Sequence, residues 1–127
     1  MPITPVKTLV ETAKAEIETL SIVAAKQAVA EGASFVDIRD VRERKNGFIP
    51  GSIHAPRGML EFWADPESPY HKDYFSSGKK LVLHCASGWR SALAAKALQD
   101  MGLENVAHIG GGITAWTEAG GPTETKD

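Results

Sequence analysis

The chain contains 127 residues, of which 43% are hydrophobic and 24% are charged. This length is sufficient for one domain with one hydrophobic core, and the composition is ordinary for a globular protein. The formal net charge of -2 gives no reason to expect nucleic acid or an acidic membrane as a partner. The single cysteine excludes a disulfide within the chain and gives no indication of an oxidising compartment.

The amino-terminal region shows no targeting signal. It lacks the basic segment and the unbroken apolar segment of a signal peptide, and acidic residues interrupt its apolar positions. No apolar run approaches the roughly 20 residues that a membrane-spanning helix needs. We therefore expect a cytoplasmic protein without a membrane partner.

Two helical patterns, separated by a short alternating stretch, open the chain. Apolar residues recur at helical spacing after Pro5 and predict a first helix that ends near Ala15. Residues 17–20 alternate between apolar and polar and form a candidate strand. Ser21 is a candidate N-cap for a second helix over residues 22–31.

Strands and helices alternate along the rest of the chain. The predicted strands cover residues 35–39, 81–85 and 105–109, and the predicted helices cover 59–63, 91–101 and 113–118. Such alternation predicts a parallel sheet with helices packed on its faces. Ligands bind beyond the carboxyl ends of the strands in these sheets. The loops after Arg39 and after Cys85 are therefore the candidate functional positions, and the tail from Gly120 is expected to be frayed.

The loop after the clearest strand carries residues suited to binding an anion. Cys85 ends an apolar run, four residues intervene, and Arg90 and Ser91 open a helix. A tight strand-to-helix turn directs its backbone N–H groups toward the centre of the turn, and the amino terminus of the helix adds partial positive charge there. Gly88 permits the sharp turn. This loop would hold a thiolate, a sulfur oxyanion or a phosphate.

Cys85 has two competing interpretations. A lone cysteine after an apolar strand is usually an inert core residue. A core cysteine, however, has no need of the glycine, the arginine and the helix start that follow it here. We therefore interpret Cys85 as a solvent-reachable thiolate nucleophile, whose pKa is lowered by the loop and by Arg90.

Four segments resemble, in order and spacing, the signatures of rhodanese-like domains. They are residues 36–39, 47–56, 85–91 and 110–116. Phe48 departs from the pattern, because the family usually has histidine there. The resemblance implies a single three-layer α/β domain with a five-stranded parallel sheet flanked by helices. It also implies a cysteine that takes sulfur from a donor, becomes a persulfide and passes the sulfur to an acceptor.

The resemblance also suggests roles for individual residues. Cys85 matches the catalytic nucleophile, and the donor and persulfide would be bound by the loop residues Ala86, Ser87, Gly88, Trp89, Arg90 and Ser91. Asp37 and Arg39 match a supporting pair at a strand end. Arg90 either neutralises the donor or persulfide, or pairs with a carboxylate such as Asp37. Trp89 either contacts the acceptor or covers the rim of the site.

Neither a metal nor a cofactor is expected. The four histidines have no metal-ligand spacing, and one cysteine cannot build a thiolate-rich site. The glycines at 110–112 lack the strand-to-helix fingerprint of dinucleotide sites, and no phosphate-loop lysine motif is present.

The predicted function is that of a single-domain sulfurtransferase of the thiosulfate:cyanide type. A small sulfur-containing anion such as thiosulfate would donate sulfur through a Cys85 persulfide to a nucleophilic or thiol acceptor, which could be a protein. The alternatives are a persulfide carrier that binds a protein partner, a phosphatase-like or arsenate-reducing enzyme, and a silent domain. The six-residue loop from Cys85 to Arg90 favours sulfur over phosphate, because the related phosphatases and arsenate reductases have a loop one residue longer.

The chain is divided into three regions. Residues 1–16 form an amino-terminal helical extension, residues 17–123 the rhodanese-like domain, and residues 124–127 a flexible tail. The extension carries an apolar stripe, which covers its own domain by default. A second subunit or another partner is the alternative, and light scattering over a wide concentration range would test the homodimer.

Overall fold

The computed structural model describes residues 2–126 and has a sheet of five parallel strands at its centre. The strands are β1 (Glu18–Leu20), β2 (Ser34–Asp37), β3 (Ile53–His54), β4 (Leu81–His84) and β5 (Val106–Ile109). Their order across the sheet is β1-β5-β4-β2-β3. The predicted five-stranded parallel sheet is therefore confirmed, with β4 at its middle.

Helices cover both faces of the sheet and complete three layers. They are α1 (Val6–Glu16), α2 (Ile22–Ala30), α3 (Leu60–Ala64), α4 (Trp89–Asp100) and α5 (Gly112–Glu118), with 3-10 turns at Val41–Asn46, Arg57–Met59 and Asp73–Ser76. Buried residues of α1, α3 and α4 share one core with Leu83, and those of α2 and α5 share the other core with Val82. Neighbouring residues of β4 thus point to opposite cores, as in a strand buried on both faces.

Local sequence explains where several elements begin. Ser21 caps α2 as predicted, since its hydroxyl accepts a hydrogen bond from the Ala24 N–H at 3.1 Å. Helix α4 begins at Trp89, two residues earlier than predicted, after Gly88 at φ 103°. The charged loop after Asp40 forms a 3-10 turn, because Asp40 and Glu43 make a capping box.

Helix α1 packs on its own domain through one side. Val10 and Ala13 are buried against the core that α4 also lines, and the Gln99 side chain donates a hydrogen bond to the Glu16 carbonyl at 2.9 Å. Val6 and Leu9, on the same helix, are about half exposed. The homodimer and the division of the chain at residue 16 stay predictions.

The carboxyl-terminal tail is paired with the rest of the domain as far as Glu124. Phe48 and Glu124 exchange two backbone hydrogen bonds of 2.8 and 2.9 Å in an antiparallel bridge. The Trp116 indole N–H donates to the Pro122 carbonyl at 2.8 Å. The prediction of a tail frayed from Gly120 is therefore wrong as far as Glu124, since backbone pairing holds it. None of the helices between residues 2 and 126 is long and apolar enough to cross a membrane.

The start of α5 lies directly against the loop after β4. The Ile113 N–H donates to the Cys85 carbonyl at 2.9 Å, and the Thr114 N–H donates to the Ala86 carbonyl at 3.1 Å. Gly112 makes this approach possible, because a Cβ there would lie 2.5 Å from the Ala86 oxygen. Its φ of 62° is also a conformation that other residues rarely adopt.

We expect Gly112→Ala to lower the free energy of unfolding by about 1–3 kcal/mol, because the added methyl group overlaps the Cys85–Ala86 backbone. Urea unfolding measures this change. Gly58→Ala is the matched control, since a methyl group added at Gly58 would meet no atom within 4 Å and the residue has no positive φ. Equal stability of the two variants would contradict the packing role of Gly112.

His84 makes stability depend on pH. It is fully buried, and burial lowers its pKa to about 4 despite the attraction of nearby Asp37. The unfolded chain, with a histidine pKa near 6.5, therefore takes up a proton first as the pH falls. The stability that neutral His84 contributes is complete above pH 6.5 and is lost between pH 6.5 and about 4. His108, with its pKa also lowered to about 4 by burial and by Lys14, behaves in the same way.

The variant His84→Phe should lose less stability than the wild type between pH 6.5 and 4.5. One histidine contributes a slope of at most about 1.4 kcal/mol per pH unit, and the variant lacks the slope of His84 while it keeps that of His108. Chemical unfolding at a series of pH values measures both curves. Parallel curves for the two proteins would show that the pKa of His84 is the same in the folded and unfolded states.

Candidate active site

Cys85 lies at the carboxyl end of the central strand, where the following loop wraps around its sulfur. The N–H groups of Gly88 and Ser91 donate to Sγ at 3.1 and 3.4 Å. The Ser91 hydroxyl lies 3.6 Å from Sγ. The structure thus places two of the predicted loop residues, Gly88 and Ser91, around Cys85 with their N–H groups directed at the sulfur.

Hydrogen bonding favours the thiolate form of Cys85. Burial raises its pKa, but hydrogen bonds from the Ser91 hydroxyl and from the N–H groups of Ser91, Gly88 and Ser87 lower it by more. The net pKa lies below the ordinary value of a thiol. This agrees with the direction expected from the sequence.

The expectation of a solvent-reachable sulfur is wrong for this conformation. Cys85 is only 1% exposed and belongs to the core that α1, α3 and α4 share. The physical reason is that the same loop and helix start that supply the hydrogen bonds also cover Sγ. Trp89, in the loop, is 45% exposed and marks the outer side of the site.

Arg90 is paired with Glu43. Its two terminal nitrogens donate to the two Glu43 carboxylate oxygens at 2.9 and 3.1 Å. The pairing with Asp37 that the sequence suggested is therefore replaced by a contact to the 3-10 turn after β2. Arg90 also remains within electrostatic reach of the thiolate, which helps to raise the pKa of the guanidinium. Sequence reasoning missed Glu43, although the Asp40–Glu43 spacing of a capping box was a signal for its turn.

A buried ion cluster supports that turn. Asp37 accepts hydrogen bonds from the Arg39 side chain at 3.0 and 2.9 Å and from Arg44 at 3.2 Å, and all three residues are buried. Burial raises the pKa of Asp37, while the hydrogen bonds and charge of Arg39, together with nearby His84, lower it by more. Arg44 also contacts the Phe48 ring at 4.3 Å. Arg44 belongs to the charged loop after Arg39, and the 3-10 turn directs it inward, where it is buried.

Beyond Ser91, two further polar side chains continue the contacts of the sulfur. Ser91 Oγ is 2.9 Å from His108 Nδ1, and His108 Nε2 is 3.0 Å from Thr19 Oγ1. His108 was considered only as a metal ligand and was missed as a neighbour of the site. Within residues 2–126, no group of three or more His, Cys, Asp or Glu residues is arranged to hold a metal ion.

The protein is thus a parallel α/β domain with a cysteine directly after its central strand, where backbone N–H groups are directed at the sulfur. The family model of the rhodanese-like domain matches residues 21–119, and the chain belongs to that family. This confirms the family that the four sequence segments indicated.

Two curated relatives carry names from sulfur metabolism. The chain is 30% identical to a "Putative sulfur carrier protein YrkF" of Bacillus subtilis (strain 168), over 80% of this chain and 51% of that protein. It is also 30% identical to a sulfurtransferase of Allochromatium vinosum, over 84% of this chain and 92% of that protein. The chain therefore spans about half the length of the Bacillus protein.

The structure also matches a solved protein of unknown function from Rhodopseudomonas palustris, described as a possible tyrosine phosphatase. The two share 52% sequence identity with a TM-score of 0.90, and the match covers 98% of this chain and 99% of the other. The likeness thus includes α1.

Removing the charge of Glu43 should lower the pKa of Cys85. In Glu43→Gln the Arg90 guanidinium is no longer neutralised, so it stabilises the thiolate more strongly. Arg90→Ala should shift the pKa in the opposite direction. Each shift should be about half a pKa unit, because this pair is partly exposed to solvent. The midpoint of iodoacetamide alkylation against pH measures the pKa independently of the access rate.

Arg42→Ala is the matched control for these variants. Arg42 lies on the same turn and is also paired with a carboxylate, but its side chain is 82% exposed and its partner is Asp40. The control should leave the midpoint unchanged. A shift in the same direction for Glu43→Gln and Arg90→Ala would contradict the electrostatic role of the pair.

Proposed function

We propose that the protein is a sulfurtransferase that carries sulfane sulfur on Cys85. One observation supports this proposal above all: the N–H groups of Gly88, within the six-residue loop from Cys85 to Arg90, and of Ser91, directly after it, are directed at Cys85 Sγ. Such donors stabilise a thiolate and would equally stabilise the negative charge of a persulfide. Membership of the rhodanese-like family adds support.

In the proposed reaction the Cys85 thiolate attacks the outer sulfur of thiosulfate. A bond forms between Sγ and that sulfur, the sulfur–sulfur bond of the donor breaks, and sulfite leaves with its electron pair. A nucleophilic acceptor, such as cyanide or a thiolate, then attacks the outer sulfur of the persulfide. The Sγ–S bond breaks, the acceptor keeps the sulfur, and Cys85 returns to the thiolate.

We expect Arg90 and Trp89 to contact the donor and the acceptor of the sulfur atom. Both belong to the loop, and Arg90 keeps its charge next to the sulfur while paired with Glu43. A donor anion would compete with the Glu43 carboxylate for the guanidinium. The exposure of Trp89 supports a contact with the acceptor in this proposal.

Two other functions have support from particular observations. The name of the Bacillus relative supports a carrier that delivers persulfide sulfur to a protein partner. The description of the Rhodopseudomonas protein supports a phosphatase. The loop argues against the phosphatase, because only six residues, from Cys85 to Arg90, are available to surround a tetrahedral oxyanion.

Thiosulfate should add the mass of one sulfur atom to the reduced protein, and cyanide should remove it. Cys85→Ser should add none, because oxygen does not form the persulfide, and its fold should be unchanged. Intact mass under nonreducing conditions, with peptide mapping, measures the adduct. Wild-type protein treated with sulfite is the control, since sulfite carries no sulfane sulfur. Loading of the serine variant would overturn the assignment of Cys85.

Turnover separates the three functions. Repeated formation of thiocyanate from thiosulfate and cyanide supports the sulfurtransferase. Loading of one sulfur without turnover supports the carrier, and release of phosphate from an aryl phosphate supports the phosphatase.

A further inference from the structure

We propose that Ser91, His108 and Thr19 form a proton path from the buried Cys85 sulfur to solvent, and that His108 reverses its tautomer when the sulfur gains or loses its proton. His108 is then a positioning residue, because it acts on the sulfur through Ser91. The use of this path in sulfur transfer rests on the proposed function, but the path itself does not.

The four side chains form one continuous chain of contacts. The distances are 3.6 Å from Cys85 Sγ to Ser91 Oγ, 2.9 Å from Ser91 Oγ to His108 Nδ1, and 3.0 Å from His108 Nε2 to Thr19 Oγ1. The sheet sets this alignment, because Thr19 on β1 lies directly beside His108 on β5, and β5 lies beside β4.

Burial gives the path a direction. Cys85 is 1% exposed, and Ser91 and His108 are 0% exposed. Thr19 belongs to the edge strand β1 and is exposed to solvent. The path therefore begins at a covered sulfur and ends at the surface.

The covered thiol needs such a path to ionise. Its hydrogen-bonding neighbours at Gly88 and at the Ser91 backbone are N–H donors, which cannot accept a proton. Among the contacts of Sγ in residues 2–126, the Ser91 hydroxyl oxygen is the acceptor. A proton that leaves Sγ in this conformation therefore passes to Ser91.

Neutral imidazole can carry the proton onward without becoming a cation. In the thiol form Sγ–H donates to Ser91, the Ser91 hydroxyl donates to His108 Nδ1, and Nε2–H donates to Thr19. Four protons then move together: from Sγ to Ser91, from Ser91 to Nδ1, from Nε2 to Thr19, and from Thr19 to water. Each side chain except Cys85 ends with the number of protons it had at the start.

The thiolate form reverses every hydrogen bond in the path. Thr19 now donates to Nε2, Nδ1–H donates to Ser91, and the Ser91 hydroxyl donates to the negative sulfur. All the dipoles point toward the charge and stabilise it, although no residue of the path is charged. This tautomer change is what distinguishes the path from a thiolate–imidazolium pair.

The surroundings of His108 keep its ring neutral. Burial and, to a smaller extent, the Lys14 ammonium on α1 together lower its pKa to about 4. The side chains in contact with the ring nitrogens are the uncharged Ser91 of α4 and Thr19 of β1. No acidic partner is in contact with the ring among the described residues, so a second proton on His108 is disfavoured.

The direct test follows the nitrogen shifts of the His108 ring by NMR in 15N-histidine-labelled protein without any sulfur donor. His108→Asn identifies the resonance. We expect a neutral ring throughout the titration of Cys85, with the proton on Nε2 below the Cys85 pKa and on Nδ1 above it. A ring that keeps one tautomer, or that becomes an imidazolium as the thiolate forms, would overturn the proposal.

Variants test the link to the sulfur. Ser91→Ala should raise the Cys85 pKa by about one unit, which reduces the thiolate fraction about tenfold below the pKa. Thr19→Val, which keeps the side-chain shape, should raise it by a smaller amount and remove the tautomer change. Thr12→Val is the matched control at another exposed threonine. Identical alkylation midpoints for Thr19→Val and Thr12→Val would exclude Thr19 from the path.

The outcomes separate this proposal from the proposed function. A tautomer change without sulfur loading from thiosulfate would support the path and count against the sulfurtransferase. Sulfur loading with an unchanged tautomer would support the sulfurtransferase and overturn the path.

Discussion

The site around Cys85 depends on the orientation of two peptide groups, those whose carbonyls belong to Cys85 and Ala86. The carbonyls of Cys85 and Ala86 accept hydrogen bonds from the N–H groups of Ile113 and Thr114, in the first turn of α5. These two carbonyls point toward α5, away from the sulfur. The N–H groups of Gly88 and Ser91 point toward the sulfur. Helix α5 therefore fixes the orientation of the peptide groups in the loop. Gly112 lets α5 come close enough to make these hydrogen bonds.

A second set of contacts fixes the opposite wall of the site. The carboxylate of Asp37 holds Arg39 and Arg44, and through Arg44 it holds the 3-10 turn after β2. That turn presents Glu43 to Arg90 of the cysteine loop. Burying three charged groups is costly unless each is paired, and here each pairing also sets the position of the next element. Arg90 is thus oriented by a turn that follows a different strand, β2.

Local sequence predicted what depends on near neighbours in the chain. The apolar run before Cys85, the glycine after it and the helix start beyond were enough to indicate the strand, the loop and the lowered pKa. The burial of the sulfur was not predictable, because it depends on how closely α4 and the loop close over it. Arg42 and Arg44 look alike in sequence, and only the 3-10 turn sends one to solvent and the other inward. His108 meets Ser91 because β5 lies beside β4, and strand order is not written in local patterns.

The burial of Cys85 has a consequence for oxidative damage. A thiol with a lowered pKa is the kind that peroxides oxidise first, and sulfenic acid is normally rescued when a second thiol forms a disulfide with it. This chain has no second cysteine. Once oxidised, Cys85 would depend on an external thiol for repair, or would proceed to the irreversible sulfinic acid. The cover over Sγ, 1% exposed, is therefore the protection that the chain itself provides, and it is lost whenever the loop opens to admit a reagent.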